Sequence, residues 1–292
     1  MDKNITANQF QLTWQPKKSF EILATVPWEE IEKGRKAALD GASQKIEVKG
    51  FRKGKAPENL LKEEIGEEKL LEMTLQKILP DYYQKAVSKF GLRPILTPKV
   101  KLVSAKENES WQIMFISCEE PEVNLGNYKE ELKKVKAVEK IWVPGKDDEK
   151  KEEKKEETRE EKIDRTIEWL IKNIKVEIAD QLVEEEVNRK LAGLLEQTQK
   201  LGITIDQYLA SVNKNVEQIK EEYRHLAEEN LCLEFILGKI ADAEKVEVKP
   251  EEMQKIIDNA KNDEEKKAME EQKYLMASLL RRQKTLDFLA SL

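Results

Sequence analysis

The chain has 292 residues, a length that suits about two domains, and its 52 basic and 58 acidic side chains make up 38% of it, against a typical ~25%. This charge density, with no apolar run near the ~18–20 residues that cross a bilayer, excludes a membrane protein. The opening MDKNITANQF lacks the apolar stretch of a signal peptide, so a cytoplasmic location is expected.

A hydrophobic content of 39% is enough for true cores and argues against wholesale disorder. Residues 1–145 hold eight glycines and eight prolines, whereas residues 146–292 hold three glycines and Pro250, which predicts a second half made mostly of helix. The net charge of −6 divides into +2 over residues 1–121 and −8 over the remainder, an electrostatic polarity along the chain.

Phe10, Leu12 and Trp14 alternate, as do Phe20, Ile22, Ala24 and Val26, predicting two strands around the turn Gln15-Pro16-Lys17-Lys18. Pro27 suits the first turn of a helix reaching about Ile46, with Trp28, Ile31, Ala38, Ala42 and Ile46 on one stripe. After a loop over Lys49–Ala56, Pro57 opens a short helix, and a longer one covers about Glu67 to Phe90, ended by Gly91 and Pro94. Val100 and Leu102, then Trp111, Ile113 and Phe115, predict two further strands joined by the polar turn Lys106–Ser110. The front of the chain therefore reads as an α+β domain with an antiparallel sheet and helices.

Residues 122–162 read as a linker with a charge-rich segment. A modest amphipathic piece follows Tyr128, and positions 146–162 are all charged except Thr158. That run is either a solvated linker or the exposed opening of a helix laced with i,i+4 Glu–Lys pairs; Ile163, Ile167, Leu170 and Ile174 follow directly at helical spacing, which favours the helix. Helices are then predicted over about Ala179–Leu201, over a short stretch capped by Thr204 and Gln207, from about Asn215 past Ile240, from Pro250, and from Asn262 nearly to the end. Narrow apolar stripes on so many charged helices suit an elongated all-α domain with arms over residues 163–292.

Candidates for catalysis are few. Cys118 and Cys232 stand 114 residues apart with no metal-binding spacing, and the single histidine, His225, lies beside Arg224 in a helical pattern, so no catalytic residue, cofactor or metal is expected. The segment Lys49-Gly50-Phe51-Arg52-Lys53-Gly54-Lys55-Ala56-Pro57 is more informative, with four cations in seven residues. A nucleotide-binding P-loop needs four residues between its glycine and the Gly-Lys pair and then a hydroxyl, whereas here there are three and then Ala56. An aromatic flanked by cations suits instead a surface offering phosphates and an apolar notch, provided that Phe51 does not fold inward.

Gly50-Phe51-Arg52-Lys53-Gly54-Lys55 followed by Pro57 resembles the ribosome-docking signature of the trigger factor family of ribosome-associated chaperones. The resemblance continues in Pro121–Tyr128, in Leu201–Leu209, in Tyr223-Arg224 with Ala227, and in Lys284–Leu289. It implies a ribosome-binding domain over residues 1–121 and a helical client-holding domain over residues 163–292. The implied partners are the large ribosomal subunit beside its exit tunnel, through ribosomal protein and rRNA, and unfolded nascent polypeptides; whether the free protein forms a homodimer is left open.

The chain departs from the family pattern in two places. Family members usually carry a peptidyl-prolyl isomerase domain between the two parts, and residues 129–162 leave no room for its pocket; Ala179 stands where a proline is common. The resemblance thus implies a holding chaperone that needs no ATP and has no isomerase activity. Gly50, Phe51, Arg52, Lys53, Gly54 and Lys55 are its expected docking residues. Met253, Met269 and Met276 are candidate client contacts, since methionine adapts to varied surfaces, although each also suits packing inside the helical domain. The alternative is a helical adaptor that docks on the ribosome for one defined partner.

Overall fold

The computed structural model describes residues 9–48, 51–52, 54–138, 158–260 and 262–292. The chain divides into two compact units, residues 1–120 and 121–292.

In the first unit, strands β1 (Phe10–Trp14), β2 (Ser19–Val26), β3 (Lys99–Ser104) and β4 (Trp111–Cys118) form an antiparallel sheet in the order β1-β2-β4-β3. The alternation of the sequence sets its register, with Leu12 opposite Ile22, Ala24 opposite Ile113, and Ile22 opposite Phe115. Phe20, Ile22, Ala24, Ile113 and Phe115 therefore share one face, and all five are sealed from solvent. That face packs against α1 (Trp28–Ser43) and α3 (Glu67–Phe90), which contribute Ile31, Ile78, Tyr82 and Ala86 to the same core.

Helices α1 and α3 approach closely because Gly34 has no side chain: a Cβ there would lie 2.6 Å from Ile78 Cγ1. Pro80 lies within α3 without ending it. It is exposed, so the carbonyl deprived of its intrahelical partner can turn to water. A smaller cluster of Ala38, Leu39, Ala42, Val48, Leu61, Ile65 and Leu70 joins the end of α1, the short helix α2 (Glu58–Ile65) and the start of α3. Helix α1 stops at Ser43, about a turn earlier than the apolar stripe to Ile46 predicts.

The second unit is helical: α4 (Tyr128–Val138), α5 (Arg159–Asn173), α6 (Asp180–Lys200), α7 (Ile205–Ser211), α8 (Val216–Ala243), α9 (Pro250–Asp258), α10 (Asp263–Glu271) and α11 (Lys273–Ser291). Three clusters follow one another along α8. Ile219 joins Leu194 and Leu209; Ala227 and Leu231 join Ile178 and Val183; Leu233, Ile236, Leu237 and Ile240 join Tyr128, Leu132, Leu170, Ile174, Leu286 and Leu289. The single stripe of each charged helix is thus spent on small successive cores, not on one thick one. Among the described residues no helix is long and apolar enough to cross a membrane.

Three sequence expectations are corrected or sharpened here. Residues 146–157 of the charge run lie outside the described residues, and α5 starts only after Thr158, whose backbone is extended. Thr158 N–H donates to Glu161 Oε2 at 2.8 Å and Glu161 N–H donates to Thr158 Oγ1 at 3.3 Å, a reciprocal cap that begins a helix instead of continuing one. Tyr128 and Leu132, placed in the linker by sequence, are buried in the helical core. The last expected helix is two, because Gln272, with φ −100° and ψ 17°, ends α10 and precedes α11.

Cross-links hold α11 in place. Arg281 Nη2 lies 2.6 Å from Asp242 while its Nε donates to the Val246 carbonyl at 2.8 Å, and Lys284 Nζ lies 2.9 Å from Glu252. The tie to α4 runs through the end of α8, where Tyr128 Oη donates to Glu244 Oε1 at 2.8 Å and Lys129 Nζ lies 2.6 Å from the same carboxylate.

Candidate functional site

The basic loop sits between α1 and α2, with one root buried, the other half-buried, and its tip exposed. Val48 and Ala56 pack into the small cluster beneath it, whereas Phe51 is 40% exposed and Arg52 and Lys55 are exposed. The inward-folded alternative for Phe51 is not the observed one. Phe51 N–H donates to the Val48 carbonyl at 3.0 Å, and Lys55 N–H donates to the Arg52 carbonyl at 2.9 Å. Gly54 N–H reaches back to the Ser43 carbonyl at 2.9 Å, which pins the loop to the end of α1.

Gly54 has φ +78°, a left-handed backbone that side chains disfavour. The Gln44 amide packs on it, so that a Cβ at this position would stand 3.0 Å from Gln44 Nε2. Sequence reading passed over Gln44, because nothing in a lone glutamine after a helix marks it as a brace. Gly50 and Lys53, two of the expected docking residues, lie outside the described residues. The described part brings an aromatic ring and two cations to one exposed turn, a surface able to contact phosphates and fill an apolar notch at once.

The three methionines separate. Met253 is 3% exposed and lies on the inner face of α9 with Ile257 one turn away, so it packs the interior and is not presented to a client in this conformation. Met269 and Met276 are half-buried. The larger open apolar surface lies at the start of α11, where Tyr274 is 91%, Leu275 55% and Leu279 57% exposed. Sequence alone did not find it, because apolar residues surround the first turns of α11 and mark no single face. Leu195, Leu201 and Leu226 add exposed apolar surface on α6, just beyond its end, and on α8.

Cys118 is buried and Cys232 half-buried, and burial pushes both thiols up. His225 is exposed and lies 3.5 Å from Glu221 on its own helix. Among the described residues no three His, Cys, Asp or Glu side chains are grouped to hold a metal ion.

The site thus belongs to a two-unit protein, an α+β unit presenting a braced cationic turn and then a helical unit with exposed apolar residues. The family described as Bacterial trigger factor protein (TF) matches residues 9–170, and its C-terminus matches residues 147–291; the chain belongs to the trigger factor family. The two matches overlap over residues 147–170, so that no interval for an isomerase domain lies between them in this chain.

Trigger factor of Carboxydothermus hydrogenoformans is 38% identical over 112 residues, which is 38% of this chain and 26% of that protein. Trigger factor of Enterococcus faecalis is 36% identical over 118 residues, covering 40% and 28% respectively. These alignments span about a quarter of the length of the relatives. A solved structure from work on promiscuous substrate recognition in folding and assembly activities of the trigger factor chaperone covers 97% of this chain and 99% of its own, with a TM-score of 0.64 at 16% identity. The fold is shared over nearly the whole chain.

Proposed function

We propose that this protein is a trigger-factor-like chaperone that docks beside the exit tunnel of the large ribosomal subunit and holds nascent polypeptides without ATP and without prolyl isomerase activity. The observation that carries the reading is the braced loop, with Phe51 and Arg52 exposed above the packed roots Val48 and Ala56. The arginine and lysines supply salt-sensitive contacts to phosphate, and the ring supplies a desolvated anchor. Phe51, Arg52 and Lys53 are the docking residues of this reading, with Gly50 beside them, Gly54 supplies a left-handed turn, and Lys55 adds charge.

Holding requires apolar surface that stays open to clients and enough charge to keep the holder itself in solution. Tyr274, Leu275 and Leu279 offer the first and the 110 charged side chains the second. Met269 on α10 and Met276 on α11, both half-buried, are the adaptable contacts of this reading. Replacing Phe51, Arg52 and Lys53 together by alanine is expected to abolish co-sedimentation with ribosomes while the circular dichroism spectrum stays unchanged.

A further inference from the structure

The α+β unit carries a cleft of about 390 Å³ to which the basic loop contributes no residue, within the roughly 300–1,000 Å³ of small-molecule sites. Its apolar walls are Trp28 at the start of α1, Leu71 on α3 and Trp111 at the start of β4. The two indole rings lie 6.5 Å apart and meet at 59°, an inclined pair and not a closed stack. Trp111 donates its indole N–H to the Lys106 carbonyl at 3.1 Å, so its polar edge is already satisfied against the β3–β4 turn. The indoles therefore offer a ligand their faces, which are electron-rich and attract cations.

The charge around these walls has the same preference. Glu67 and Glu68 on the first turn of α3 and Glu107 on the β3–β4 turn are exposed, while Arg35, the one cation lining the cleft, is paired with Glu67 at 2.5 Å. Three carboxylates against one guanidinium leave a surplus of negative charge. The three come from two separate elements and are not grouped closely enough to hold one metal ion. Magnesium, a point charge that needs several oxygens at about 2.0–2.1 Å, does not suit such a rim. A ligand whose positive charges are spread along an apolar chain does.

We propose that this cleft binds a linear aliphatic polyamine. Its methylene groups cover Leu71 and the tryptophans, and its ammonium groups meet the faces of the indoles and the carboxylates of Glu68 and Glu107. An anion or a zwitterion is a poor occupant, because its carboxylate or phosphate would face the same glutamates. The assignment rests on neither ribosome docking nor the holding of clients.

The test is isothermal titration calorimetry on the full chain with spermidine as the probe. Spermidine should show one saturable site whose affinity falls as sodium chloride is added. Butylamine, which has a single charge, and magnesium chloride should each bind at least tenfold more weakly. The E68Q and E107Q double variant, changed at exposed positions and with the Arg35–Glu67 pair intact, should weaken spermidine about three- to tenfold. W28L removes an indole face without altering any charge and should weaken it about two- to fivefold.

No saturable site for spermidine, or an unchanged affinity in the double variant, would overturn the proposal. So would magnesium or butylamine binding as tightly as spermidine, or an unchanged affinity in W28L, since the net charge of −6 would then be attracting cations without a built site. The double variant should co-sediment with ribosomes as wild type does, which separates failure of the cleft from failure of the docking loop.

Discussion

The Gly54 N–H donates to the Ser43 carbonyl at 2.9 Å, so the tip of the basic loop is anchored by backbone to the last residue of α1. The contact depends on the left-handed φ of Gly54, which any other L-residue adopts at a cost of roughly 1–2 kcal/mol. G54A is therefore expected to lower the stability of the α+β unit by about that amount in urea unfolding. It should also weaken ribosome binding although every cation is retained. Wild-type ribosome affinity in G54A would show that loop shape is dispensable.

Gly34 makes a separate prediction about the core. Alanine would gain about 1 kcal/mol of helix propensity, yet its Cβ would stand 2.6 Å from Ile78 Cγ1. Overpacking of this kind costs about 1–3 kcal/mol, so G34A should lower the unfolding midpoint, and G34A with I78A should lose less than the sum of the two single changes. A stabilised G34A would mean that α1 and α3 have room to separate.

Leu275 and Leu279 lie one turn apart on α11, both more than half exposed, while Leu286 and Leu289 further along the same helix are buried. Replacing Leu275 and Leu279 by serine should leave the melting temperature nearly unchanged and reduce suppression of aggregation for several unrelated unfolded proteins. Replacing Met253 by alanine should do the reverse, costing about 2–5 kcal/mol of stability for a buried methionine. Breadth is the informative readout: an adaptor for one partner would lose a single client.

Acid should loosen the helical unit at an identifiable point. Hydrogen bonds from Lys129 and Tyr128 hold the Glu244 carboxyl below its ordinary 4.5. A depressed carboxyl contributes stability that is fully present above its ordinary value and is lost as the pH falls through the folded one. Tyr128, whose hydroxyl is pushed up by burial and by Glu244, remains a donor throughout. Thermal unfolding between about pH 5 and pH 3 should therefore lose stability less steeply in E244Q than in wild type. Identical slopes would assign the acid sensitivity elsewhere, for example to Glu252, whose carboxyl Lys284 also holds low.

Much of the fold is written in local pattern. The period-two runs from Phe10 and Phe20 set strands that pair in the register the alternation demands, and Thr204 with Gln207 caps α7 by the reciprocal bonds its spacing implies. Where local signals compete, the outcome depends on contacts that a sequence does not display. Thr158 and Glu161 carry the same box, but the charged residues around them read equally well as uninterrupted helix. Pro80 passes through α3 because its position faces water, and burial of each turn is decided by packing on the sheet.

The candidate site was legible to the same degree. Glycine, cation and aromatic spacing identified the loop, whereas the brace from Gln44, the burial of Met253 and the openness of Tyr274 are all settled by tertiary neighbours.

Ribosome pelleting tests the central claim most directly, with purified ribosomes titrated against the wild-type chain and against the F51A, R52A and K53A triple variant at two salt concentrations. Wild type should pellet with ribosomes and release as salt rises, while the variant, with an unchanged circular dichroism spectrum, should remain in the supernatant at both. Equal pelleting of the two proteins would contradict docking through this loop.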